Sequence, residues 1–107
     1  MTENLLSLPH SFEGVRKLVD RLRSQEGCPW DKEQTHTSLI PYMLEEAYEV
    51  ADAIRNQNSE NLKEALGDLL LQIVLHAQIA EEEERFCLAD IAKTINQKLI
   101  RRHPHVF

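Results

Sequence analysis

Glycine and proline are scarce, three and four in 107 residues. So few turn-formers argue against an all-β chain and against low-complexity sequence. Cysteine is nearly absent. Cys28 and Cys87 stand far apart without metal-ligand spacing and read as free thiols of a reducing cytosol. There is no basic surplus, since the net charge is −6 at pH 7. A general nucleic-acid binder carries the opposite sign, so direct nucleic-acid binding is not expected. Long apolar runs are missing too. The longest, 69–75, is broken by Gln72 and is too short to span a bilayer. Residues 1–10 lack the charged-then-apolar pattern of a secretion signal. They read as a flexible lead-in to a single domain covering 1–107, and a cytoplasmic protein without membrane contact is the expectation.

What the chain does have is helical periodicity. Phe12, Val15, Leu18, Val19 and Leu22 recur at helical spacing within 11–25. Gly27-Cys28-Pro29-Trp30-Asp31 breaks that helix, and the segment up to about residue 37 reads as a loop. A second helix is expected over 38–56, with Pro41 tolerated in its first turn. Met43, Leu44, Ala47, Val50, Ala51 and Ile54 form its apolar stripe, with Glu45, Glu46, Glu49 and Asp52 opposite. Ser59 is a plausible N-cap for a third helix over 60–84. From Leu66 to Ile79 that helix is apolar on nearly every side, the pattern of a bundle core or a subunit interface. A fourth helix over 88–101 turns Ile91, Ile95 and Leu99 inward. The expectation is an all-α, four-helix bundle without a sheet.

The acids carry the chemistry. A helix turns about 100° per residue, so Glu45 and Glu49 share a face and Glu46 lies close to Glu49. Crowded carboxylates repel, and a hard cation such as Mg²⁺ relieves them. The ordinary alternative is the solvated face of an amphipathic helix. Asp68 weighs against that alternative, because it stands where the third helix becomes apolar all round. Burying an unpartnered carboxylate costs roughly several kcal/mol. A cation, a basic side chain from another helix or protonation would each compensate it. Lys98, Arg101 and Arg102 cluster on one side of the fourth helix. They suit phosphates, or simply a helix C-terminus. Trp30 suits base stacking or loop packing. His36 reads as a hydrogen-bonded loop histidine and His76 as a core or interface histidine.

Four stretches together carry a family resemblance: Gly27-Cys28-Pro29-Trp30-Asp31-Lys32-Glu33-Gln34-Thr35-His36, Leu44-Glu45-Glu46-Ala47-Tyr48-Glu49-Val50, Leu66-Gly67-Asp68-Leu69-Leu70 and Arg101-Arg102-His103-Pro104-His105-Val106-Phe107. The chain resembles the MazG-type nucleoside triphosphate pyrophosphohydrolases, of the all-α NTP pyrophosphatase class. The first and last stretches resemble the N-terminal of two related domains in longer MazG proteins. The resemblance implies conversion of NTP and water to NMP and diphosphate, dependent on Mg²⁺, with Mn²⁺ as a possible substitute. It implies a homodimer or dimer of dimers, with the third helix as the expected contact. The family motif, Glu-Glu-x-x-Glu followed by Glu-x-x-Asp, places metal ligands at Glu46, Glu49 and Asp68. Its remaining acid falls at Ala65, whose methyl cannot bind metal. Glu64 is adjacent but about 100° around the helix, and serves only if the metal or helix shifts. Glu45 is then the candidate for orienting or deprotonating the attacking water. Ala65 also opens a rival expectation: a catalytically inactive domain of the same fold, used for dimerisation, nucleotide binding or support of a second domain.

Overall fold

The computed structural model describes residues 10–107. Five α-helices and no strand occur among them: α1 (Phe12–Leu22), α2 (Pro29–Glu33), α3 (Ile40–Arg55), α4 (Ser59–Glu82) and α5 (Leu88–Arg102). The all-α expectation holds, with one helix more than the four read from periodicity. The expectation of a flexible 1–10 segment falls, but for His10, outside the described residues. No helix of the described residues is long and apolar enough to cross a membrane.

The extra helix is α2, in the stretch expected to be a loop. Pro29 starts it with φ already preset and no N–H to satisfy. The Lys32 N–H then donates to the Cys28 carbonyl at 2.9 Å. Just before it, the chain reverses tightly against the end of α1. A Cβ on Gly27 would collide with the carbonyl oxygens of Arg21 and Leu22, so only glycine fits. Asn58, rather than Ser59, caps α4, its side-chain oxygen accepting from the Asn61 N–H at 3.0 Å. Both long helices end on a left-handed residue, Gln57 (φ 53°) and Glu84 (φ 58°). The Asn58 and Arg85 N–H groups then close back onto the Ala53 and Ala80 carbonyls at 3.2 and 2.9 Å.

Helix α4 is the hub, and α1, α3 and α5 all pack on it. Val19, Leu39, Val74, Leu75 and Ile79 form the core, joined at its edge by Val15 and Leu88. A short turn joins α3 to α4, so the two run antiparallel. Leu39, Met43, Glu46, Val50 and Ala53 are the buried or half-buried positions approaching α4, in alternating steps of four and three. Ala65, Asp68, Gln72, Leu75 and Ile79 repeat the same steps on α4. That is the spacing of helices packed along a seam.

The packing corrects four expectations. Glu46 belongs to the packed face of α3, not to the opposite one. Leu44, Ala47 and Ile54, expected inward, are exposed together with Tyr48. Helix α4 is enclosed chiefly over 74–80, whereas Leu66 and Ile73 remain 48% and 42% exposed. The reason lies in how neighbours cover α4: Val15 and Val19 of α1 and Leu88 at the start of α5 pack around Val74, Leu75 and Ile79 in its second half. Ile95 and Leu99, also expected inward, are exposed on α5.

Candidate metal centre

The step from Glu46 to Glu49 brings both side chains to one flank of the α3 seam. Asp68 meets them from α4. Glu46, Glu49 and Asp68 each offer a carboxylate oxygen within 4.8 Å of the others'. Glu46 and Asp68 are half-buried and Glu49 is exposed. Burial pushes the Glu46 carboxyl above its usual value, and the negative charges of Asp68, Glu49 and Glu45 push it further the same way. One Glu46 oxygen, Oε2, is buried with no hydrogen-bond partner. The Gln72 Oε1, one turn beyond Asp68, is buried and without a partner too. Two acceptors lacking a donor in one seam call for a water or a cation. An all-oxygen donor set suits a hard divalent ion, so these residues fit Mg²⁺.

Beside the three acids lies a cleft of about 270 Å³ lined by Glu49, Asp52, Asn61, Glu64, Ala65 and Asp68. Ala65 is buried in its wall, between α3 and α4. Residue 65, at which the family resemblance implies an acid, therefore faces the acidic cleft. Glu64 reaches the cleft rim but is exposed and stands outside the converging group. Glu45 is exposed and also outside that group, and it acts on Glu46 by charge alone.

The other site candidates lie elsewhere. Trp30 is half-exposed on α2 and meets Tyr42 edge-on, with ring centroids 5.7 Å apart. Tyr42 precedes Glu46 by one turn of α3, so this aromatic pair lies near the start of α3 and lines no part of the acidic cleft. Lys98, Arg101 and Arg102 occupy the last turns of α5, and none lines the acidic cleft. Periodicity gave no role to Asn61 and treated Gln72 as a mere break in an apolar run. The usable signal for Gln72 was its position: four residues after Asp68, at the seam spacing.

An all-α domain whose antiparallel helices bring three carboxylates together along one seam has the donor groups that a metal ion needs. The profile of the MazG nucleotide pyrophosphohydrolase domain matches residues 34–107, which span α3, α4 and α5. The chain belongs to this family. It is 55% identical over 96 residues to the nucleoside triphosphate pyrophosphohydrolase/pyrophosphatase MazG of Thermotoga maritima, covering 90% of this chain and 38% of the relative. It is 56% identical over 99 residues to the nucleoside triphosphate pyrophosphohydrolase of Escherichia coli K12, covering 92% of this chain and 38% of the relative. It is 51% identical over 100 residues to the uncharacterized protein YabN of Bacillus subtilis, covering 94% of this chain and 20% of the relative. The chain thus spans well under half the length of these relatives.

Proposed function

We propose that this domain hydrolyses nucleoside triphosphates to the monophosphate and diphosphate at the α3–α4 cleft, with Mg²⁺ as cofactor and Mn²⁺ as a substitute. The observation that carries this reading is the convergence of Glu46, Glu49 and Asp68, with one Glu46 oxygen buried and without a partner. The names of the Thermotoga maritima and Escherichia coli relatives support the reaction class.

Glu46, Glu49 and Asp68 would hold the ion, with water in place of the ligand that Ala65 cannot supply. When bound, Mg²⁺ supplies neutralisation of the triphosphate charge and a more acidic water. Glu45 is exposed beside the three acids and unable to compete for the seam. Its role is to orient the attacking water and take its proton. Trp30 offers a half-exposed ring to the base. Lys98, Arg101 and Arg102 do not line this cleft; in this scheme they would offer positive charge to the phosphates from α5 of a second copy. Nothing in this scheme needs a nucleophilic side chain.

A homodimer, or a dimer of dimers, belongs to the same reading. Leu44, Tyr48 and Ile54 of α3 and Leu66 and Ile73 of α4 leave apolar surface facing water. A second copy would cover it and complete the enclosure of α4. The composition fits a cytoplasmic protein. A second reading rests on Ala65, buried in the cleft wall where the motif has an acid. On it the domain binds nucleotide or dimerises without hydrolysis. Diphosphate release from each NTP with Mg²⁺ separates the two. Activity that vanishes in Glu46→Gln and Asp68→Asn supports the enzyme. An idle chain that gains activity on Ala65→Glu supports the disabled domain.

A further inference from the structure

His36 and His76 come from the turn before α3 and from the last third of α4. Their Nδ1 atoms lie 2.7 Å apart. The ring planes differ by 2° and the centroids are 5.0 Å apart. With parallel planes and a nitrogen gap so much shorter than the centroid gap, the nitrogens meet head to head between the ring centres. This is an edge-on hydrogen bond rather than face stacking. The gap is also too short to admit a metal ion between the two nitrogens.

Such a bond demands one Nδ1 with a hydrogen and one with a lone pair. The pair accepts one extra proton at the donor ring's outer nitrogen without breaking. A second extra proton must land on the accepting Nδ1, which removes the bond and leaves two cations in contact. Surrounding groups set where the first charge rests. The His36 Nε2 faces the Glu83 carboxylate at 3.3 Å, and Arg85 pairs with that same carboxylate at 3.4 Å. Arg23 of the α1 end donates to the Gln34 carbonyl at 3.0 Å and pairs with Glu82 at 2.9 Å. Burial, and then His36 itself, hold His76 below the usual imidazole value.

The turn that His36 anchors also holds Trp30. The Gln34 side-chain amide donates to the Trp30 carbonyl at 2.9 Å. The Ser38 hydroxyl donates to the Gln34 side-chain oxygen at 2.8 Å. Leu39, fully buried in the core, closes the turn. We propose that His36 and His76 are positioning residues whose shared proton latches the 34–39 turn, and with it Trp30, onto α4, and that double protonation releases it. The latch is independent of the reaction; its effect on turnover rests on the proposed function.

Three measurements test it. In ¹⁵N-histidine-labelled protein, coupling between the two Nδ1 nuclei across the hydrogen bond is expected at about pH 8 and is lost by about pH 5. Absence of that coupling at the higher pH overturns the proposal, with no variant needed. Trp30 is the only tryptophan, so its emission reports the turn directly. A red shift is expected over the same range, with about a tenfold loss of amide-exchange protection at Leu39 and Ile40, the size of one hydrogen bond. In His76→Gln the side-chain oxygen still accepts from His36 but does not titrate, so the red shift should disappear. A variant that keeps the full shift overturns the latch. In the turnover arm, acid should raise KM for NTP more than it lowers kcat, and His76→Gln should flatten that dependence. A chain without turnover would defeat the proposed function while leaving the coupling and fluorescence results to decide the latch.

Discussion

Ala65→Glu puts the account under the most direct strain. Residue 65 is buried in the cleft wall beside Glu49 and Asp68, so a new carboxylate there joins three others. At the 4.8 Å that bounds the existing group, two unit charges repel by about 3.5 kcal/mol at an effective dielectric of about 20. Glu49 is exposed, and water and salt screen the interaction, so about 1–2 kcal/mol is the expected loss in metal-free protein. Metal reverses the sign. An added charged ligand tightens Mg²⁺ by about tenfold, which returns about 1.4 kcal/mol at saturating ion. For a domain of this size, about 1 kcal/mol moves Tm by about 4–8 °C. Thermal melts with chelator and with excess Mg²⁺ read both effects. The variant should melt below the parent without metal, and its Mg²⁺-induced rise should exceed the parent's by about 5–10 °C. An equal or smaller rise would refute the placement of the ion beside residue 65.

Other outcomes follow from the same geometry. Glu46 has a folded-state pKa above its usual 4.5, so it favours the metal-free fold below that value and loses this contribution as pH rises through its folded pKa. The difference in stability between parent and Glu46→Gln should therefore change with pH above about 4.5, measured by urea titration with chelator. Glu82 behaves oppositely: its hydrogen bonds from Arg23 lower its carboxyl, giving stability present above its usual 4.5 and lost as pH falls through the folded value. Arg23→Met should cost about 2–4 kcal/mol, because the guanidinium is almost fully buried and also serves the Asp31 and Gln34 carbonyls. Tyr48→Glu with Ile73→Glu should shift light-scattering mass toward the monomer, and an unchanged mass would remove α3 and α4 as the contact.

Much of the architecture was legible. The long helices were fixed by apolar spacing, and their ends moved by only a few residues. The missed helix, α2, is too short to show periodicity and rests on one Pro at its start. The face of α3 was harder. Leu44, Ala47 and Ile54 dominate any count of apolar bulk, yet they point outward, because the seam positions of α3 include a glutamate. An acid within a packed seam cannot be told from an acid on a solvent face until its partner helix is known. Asp68 was readable because its own helix surrounds it with apolar residues, and it is indeed half-buried. The pairing of His36 with His76 had no sequence signal, since it joins residues forty positions apart.

A Mn²⁺ titration of the metal-free chain, followed by electron paramagnetic resonance, bears most directly on the proposed ion between α3 and α4. The account predicts saturable binding that Asp68→Asn and Glu46→Gln each abolish while both variants stay folded. Binding of undiminished strength in both would contradict it.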